Sequence, residues 1–570
     1  MITNKRNEMK RHLLILLFFI LHTYAFAQVQ VRDTTLVWQH YDYTLDEHYS
    51  IASFSTTEIV EREFKGIVLE NELVKITVVP EFGARVVSFI YKPTGHEQLY
   101  TNELGVPYLI GDNIFYHDWL MQYAGVFPTF PEPEHGKYWC VPWNQKAPEV
   151  LSDGVRLSMW IQDNLDNPQH PPQYNNGVTN VTCYFDVILR EGASNFEVNV
   201  RLENLAVDNN LEYWTCVTFA PGSTVENPRT SFNSEMIVPI DQYEVGWSPG
   251  NWLTSIDKLV SNGPRVQEYT NLPLLKNWEE QGIAYAYPSF KKDFYGVINH
   301  DNEEGLFRIS NDQSLTPGLK FWAWGEPGEN VDVSDFYAYE RPNVELWSGL
   351  SHQFFKDYKM AAYERLEWTE TYMPSVGLSH VDYIDKHFAL DLEQPSLNRI
   401  NFSTFQPLEK EYQVQLLVMD EEKEVYQKIY TIQSSTVQSF KEEIIFSELN
   451  IPVDKYKASL SVIKEDKVLH SETFNVTVGD ERDPSEEDVI SSLEKELVVQ
   501  FKNQNTGQID IVFSDHSQRL IQLYDLEGRV VFQQNTNQTE VKITALTKGI
   551  YIVNIQDNNQ NKLTKKVGVL

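Results

Sequence analysis

The chain has 570 residues, 42% hydrophobic and 13% aromatic, enough to fill several cores and more than one domain of ordinary size holds. With 47 Lys and Arg against 81 Asp and Glu, its formal net charge of −34 excludes nucleic acid and anionic lipid as partners over most of the surface. It leaves room for an acidic sugar held by a few local cations, while three cysteines (Cys140, Cys183, Cys216) are too few for a disulfide framework and fit no zinc spacing.

The chain opens on a basic stretch with Lys5, Arg6, Lys10 and Arg11, an apolar run over 13–21, and a small-x-small site at Ala25-Phe26-Ala27. Residues 1–27 therefore read as a signal peptide, with the mature chain starting at Gln28. The apolar run is shorter than the roughly 20 residues a membrane helix needs, and no later run reaches that length. An exported chain without a transmembrane anchor in its mature form is expected.

Residues 33–39 are strand-like, and 69–100 read as a β-meander. Val74, Ile76 and Val78 alternate with Lys75 and Thr77, Pro80 and Gly83 mark a turn, 85–91 returns, and Lys92-Pro93-Thr94-Gly95 turns again. The stretch 111–145 is rich in loops and carries Asp112, His117, Asp118, Glu132, Glu134 and His135 among Trp119, Tyr138, Trp139 and Trp143. Loops of this kind over a rigid sheet carry binding and catalytic groups. His135 is the candidate acid–base partner, against the reading of a satisfied hydrogen-bond partner. His117, Asp118 and Trp139 are candidate substrate contacts. Arg85, at the turn into a buried strand, suits either a substrate contact or an ion pair with a carboxylate such as Glu81.

Strand character returns at 182–189 and 195–203, with Asn204 following, then at Glu212-Tyr213-Trp214-Thr215, at 293–297 (DFYGV), at 317–325 (PGLKFWAWG) and at 344–347 (VELW). Alternation puts Lys320, Trp322 and Trp324 on one face and Phe321 and Ala323 on the other; Glu345 and Trp347 likewise part from Val344 and Leu346. Indole rings stack on the C–H face of a pyranose, and a carboxylate among rings loses hydration and rises toward the range useful for proton transfer. The same pattern also suits a core Trp pair and a solvated Glu, and both readings stand at this point.

Taken together, the asparagine-led strand, the V-x-P-E-x-G-x-R-V turn, the T-G turn and the later motifs in order resemble the galactose-mutarotase-like superfamily, and within it an uncharacterised family known as a domain of unknown function. The resemblance covers about 60–375. It implies an all-β fold, a large antiparallel β-supersandwich whose concave sheet holds a carbohydrate, and it puts Glu345 at the place of the catalytic glutamate of aldose epimerases. Those enzymes carry a histidine on a T-N-H strand; here that strand reads Glu212-Tyr213-Trp214-Thr215, which departs from plain mutarotation. Trp214 and Lys320 join Trp322 and Trp324 as candidate substrate-binding residues.

After Pro374 the composition changes. Alternating runs within 398–478 read as a small immunoglobulin-like sandwich, and the acidic stretch 479–487 reads as linker. The order LYDLEGRVV, L-x-KGIYIV, KKV over the last 70 or so residues is similar to the C-terminal sorting domain of the type IX secretion system, which implies release or anchoring at the surface of a Bacteroidetes-type bacterium. The expected division is signal peptide 1–27, supersandwich 28–380, immunoglobulin-like unit 395–480, linker 481–497 and sorting domain 498–570, so that two small β-sandwich domains follow the large one.

Two functional classes follow. One is an enzyme acting on an extracellular oligo- or polysaccharide by lyase, epimerase or hydrolase chemistry, with Glu345 as acid–base and His135 and Arg85 assisting. The other is a glycan-binding surface protein without chemistry. The expected partners are a carbohydrate and the type IX machinery. No cofactor is expected, and calcium held by Asp and backbone oxygens stays open.

Overall fold

Period-two runs of β-branched and aromatic residues become strands along the whole chain, joined by four three-residue helical turns, with no α-helix among the described residues. The computed structural model describes residues 28–102, 104–107, 120–121, 125–168, 170–248, 253, 265–270, 272–279, 281–290, 292–325 and 342–478 and, in the C-terminal segment, 499–502, 509–513, 518–525, 529–538, 540–544, 546–547, 549–557 and 562–569. The all-β expectation holds.

Two large sheets make the front of the molecule. A 14-stranded sheet runs from Val266–Glu268 through Gln242–Trp247, Gly282–Tyr287, Gly318–Trp324, Asn343–Gly349 and Trp214–Ser223 to the meander strands His96–Leu99, Arg85–Tyr91 and Val74–Val79, then Ile51–Glu70 and Gln30–Leu45. A 9-stranded sheet, with Thr182–Arg190, Phe196–Glu203 and Arg365–Val376 at its centre, packs against it. Neighbours are antiparallel except where Gln39 and His40 meet Leu104 and Gly105. The facing apolar sides interdigitate as one core: Ile76, Val217, Phe321 and Leu346 from the first sheet, Leu157, Phe185, Val198 and Leu306 from the second. Cys183 and Cys216 are buried free thiols within this front part, as small core residues.

The far side of the 14-stranded sheet is not bare. Tyr100, Phe127, Trp139, Trp214, Tyr285, Trp347 and Phe354 build a separate aromatic cluster there. The turn after Val74–Val79 positions one wall of it. Gly83 sits at φ +68, and a Cβ there would come 2.1 Å from the Trp139 carbonyl oxygen, so only glycine lets the two backbones pass.

Behind the front lie two four-stranded sheets with their own core of Phe388, Phe402, Leu416, Leu460 and Val462. Two of their strands, Tyr383–Asp385 and Phe388–Ser396, start ahead of residue 395. The alternation there is short and polar at its end, which is why composition alone set the start later. Three- and four-stranded sheets follow in the C-terminal segment around Ile511, Ile521, Leu523 and Val553.

Candidate functional site

The site is built on two paired strands, Gly318–Trp324 and Asn343–Gly349. Their register sets Lys320 opposite Trp347, Trp322 opposite Glu345 and Trp324 opposite Asn343. Leu319, Phe321, Ala323, Val344 and Leu346 face the core, so the alternate residues all face away from it. The next strands extend that face, with Tyr285 beside Lys320 and Cys216 and Thr218 beside Trp347 and Glu345.

Rings dominate the floor. Trp347 lies edge-on to Phe127 and Phe354, and the His135 ring sits 3.9 Å from that of Trp139 and 5.8 Å from that of Trp347. Toward the sheet edge, half-buried Trp322 stacks at 16° on Trp247, which is 51% exposed. The site therefore grades from a closed aromatic floor to an open indole platform.

Two cations lie in this floor. The Lys320 ammonium is 3.9 Å from the centre of the Trp347 ring and 4.9 Å from that of Phe354. Arg85 spreads over Phe127, Trp139 and Phe82 at 4.2, 4.4 and 4.6 Å and donates to the Trp139 carbonyl at 3.1 Å, while Glu81 accepts from the Lys65 backbone N–H. Burial lowers the Lys320 pKa, against the pull of Glu345 and Glu134.

Glu345 is 1% exposed. Its Oε2 accepts the Trp347 Nε1–H at 2.8 Å, and its Oε1 has no hydrogen-bond partner among the described residues. Burial raises its pKa to about 7, against the opposing effects of Lys320, the Trp347 bond and Arg85. Burial also raises Glu134 and holds the His135 imidazole well below its usual value, with Lys320 and Arg85 adding to the latter effect, so His135 is neutral at pH 7.

The fold thus gathers Glu345, His135, Arg85, Lys320 and Trp139 from four separate stretches, with Trp322 and Trp324 alongside. Trp214 is on the same face but at its far end, opposite Gly349: it is fully buried, gives its Nε1–H to Glu212 at 3.0 Å and packs on Phe354. His117 and Asp118, with Asp112, lie outside the described residues. Glu132 goes to another cluster, where its Oε2 is 3.0 Å from His170 Nδ1 and Lys137 joins Asp163. Among the described residues no three His, Cys, Asp or Glu side chains group as metal ligands.

Sequence reasoning missed Trp247, Phe354 and Asn343, and it passed over one signal. Glu212-Tyr213-Trp214 and Glu345-Leu346-Trp347 share a Glu-x-Trp pattern in which the indole N–H caps the carboxylate two residues before it. Glu212 also rises to about 7 by burial. It is no partner for Glu345: Gly349 pairs with Trp214, so six residue steps, roughly 20 Å, separate the two carboxyls along the strands.

Two family models match parts of the chain. Residues 43–111 match a domain of unknown function, DUF5107, and residues 502–569 match the secretion system C-terminal sorting domain. The second makes this a secreted or cell-surface protein of the type IX route. Similar solved structures include a TPR-domain containing protein from Parabacteroides distasonis, 16% identical over 61% of this chain, with a TM-score of 0.47. This chain spans 55% of that protein's length. A Synechocystis protein is 15% identical over 55% of this chain and 96% of its own, with a TM-score of 0.37. A galactose mutarotase-like protein from Clostridium acetobutylicum is 10% identical over the same two shares, 55% and 96%, with a TM-score of 0.35.

Proposed function

We propose that this exported protein acts on an extracellular oligo- or polysaccharide at the aromatic face of the 14-stranded sheet, with Glu345 as the acid–base. The observation that carries the reading is the Glu345 carboxyl itself: buried beside Trp347 and opposite Trp322, capped on one oxygen only among the described residues, and raised to a pKa of about 7 by burial. A group half-protonated at neutral pH both gives and takes a proton readily. Neutral His135 and the cations Lys320 and Arg85 supply hydrogen bonding and charge for a developing oxyanion. Trp322, Trp324 and Trp247 provide the stacking platform by which a chain of sugars would approach.

A second reading, a glycan-binding protein without chemistry, is favoured by the 1% exposure of Glu345, which suits a carboxyl that holds a sugar hydroxyl better than one that exchanges protons with water. Two variants separate the readings. Glu345→Gln keeps the shape and the Trp347 bond, so turnover of a bound oligosaccharide should fall roughly 100-fold or more with binding nearly unchanged. Trp322→Ala should weaken binding by about tenfold or more in either case. Full turnover in Glu345→Gln sinks the acid–base role; unchanged binding in Trp322→Ala sinks the platform.

A further inference from the structure

We infer that Trp322, Trp324, Asn343 and Glu345 form a subsite that reads a neutral pyranose through a vicinal pair of hydroxyls, a substrate class that rests on the function proposed above. Five buried polar atoms there have no hydrogen-bond partner among the described residues: Nε1 of Trp322 and of Trp324, both Nδ2 and Oδ1 of Asn343, and Oε1 of Glu345. They are not scattered. Trp322 is directly opposite Glu345 and Trp324 directly opposite Asn343, so the four side chains form one block on one face of two paired strands. Asn343 and Glu345 are almost wholly buried.

Buried donors and acceptors are nearly always satisfied, and five empty ones in a single block call for an occupant that brings complementary groups. An asparagine with both amide atoms empty offers one donor and one acceptor side by side, which matches two adjacent hydroxyls, the first accepting from Nδ2 and the second donating to Oδ1. The two indole N–H groups donate only, and they suit further hydroxyl or ring oxygens. The rings that carry them supply the apolar surface a pyranose needs, with exposed Trp247 stacked behind Trp322. A uronate fits worse, because the four side chains hold no cation and its carboxylate would face Glu345. Lys320, the neighbouring cation on this face, lies over Trp347 and Trp322, where its charge already faces Glu345.

The test is calorimetric titration of the full secreted chain with neutral gluco-, manno- and galacto-oligosaccharides and with oligogalacturonides. Binding of a neutral oligosaccharide is expected, weakened about fivefold or more both by Trp324→Phe, which keeps a ring and loses the N–H, and by Asn343→Ala. The unfolding midpoint of Asn343→Ala should not drop, because the polar atoms removed have no hydrogen-bond partner among the described residues to lose. Should either variant fail to fold, the O-methylated form of the same oligosaccharide replaces it, and undiminished binding of that form overturns the inference. Equal affinity in both variants, as if water alone filled the block, also overturns it, as does preference for oligogalacturonides; the function proposed above survives both results. Absence of binding to every oligosaccharide overturns both together.

Discussion

Two fully buried glutamates in the front part of this protein have opposite chemistry. Glu370 would be raised by burial, but Arg308 Nη2 at 2.9 Å, Trp368 Nε1 at 3.0 Å and the Tyr372 hydroxyl at 2.7 Å lower its pKa. Glu345 has one indole N–H and stays at about 7. The Arg308 charge held against Glu370, with its further donors and not depth, separates that structural ion pair from a titrating acid. This fixes a pH signature. The folded pKa of Glu345 is above its ordinary 4.5, so the neutral form is the one folding favours. Its contribution to stability is complete below pH 4.5 and is lost as pH rises through 7. Glu345→Gln stays neutral throughout, so it should match the parent near pH 4 and become the more stable chain by pH 8. A difference of about 2.5 pKa units at 1.36 kcal/mol each gives an advantage on the order of 3 kcal/mol. Denaturant unfolding at the two pH values measures it, and a gap that does not change with pH would contradict the assignment.

At the scale of elements, the site depends on strands that pass unusually close to Trp214. A Cβ on Gly349 would fall 2.2 Å from Trp214 Cδ2, and one on Gly318 would fall 1.7 Å from the Ser351 carbonyl oxygen. Gly349→Ala should therefore destabilise the protein by about 1–3 kcal/mol or more through overpacking, whereas Gly95→Ala, with nothing within 4 Å but φ +77, should cost about 1 kcal/mol from backbone strain alone. Thermal unfolding of the two side by side checks the ordering; a harmless Gly349→Ala would mean that Trp214 is free to move. The Gly318–Trp324 and Asn343–Gly349 strands were legible because their alternation is strict: spacing put Lys320, Trp322 and Trp324 on one face of the first and Glu345 and Trp347 on one face of the second, and the register brings those two faces together. Arg85 and His135 were legible as single residues of suggestive chemistry, but their meeting was not. They come from a meander turn and a loop some fifty residues on, and they meet where Gly83 passes close to the Trp139 backbone and Arg85 donates to its carbonyl. Trp247 stayed hidden for a similar reason, since a register shift between Val245 and Trp247 turns it toward the face.

At the scale of the whole molecule, the three β regions are joined unequally. The core of the front sandwich continues into the region behind it through Leu378, Val381, Ile384, Ala389 and Phe405. Hydrogen bonds from Tyr91 to the Thr436 carbonyl and from Ser439 to the Gly377 carbonyl, with the Lys441–Glu303 ion pair, cross the same junction. Composition had suggested two separate units there; a shared apolar core makes them one thermodynamic partner for each other. Among the described residues, the core of the C-terminal segment, with Ile509, Ile521 and Val553, contains no residue from the regions before it. Two truncations should therefore differ in kind. A chain ending at Val478 should unfold with the midpoint of the parent and keep its Glu345-dependent pH response, yet remain behind the outer membrane, because the sorting segment 502–569 is gone. A chain ending near residue 380 leaves Tyr91, Glu303 and the apolar patch beside Val376 uncovered, and it should unfold at a clearly lower temperature or aggregate. Differential scanning calorimetry and fractionation of the producing cells read both effects. Equal midpoints for the two truncated chains would show that the shared core is dispensable, and loss of folding in the longer one would show that the sorting segment supports the front after all.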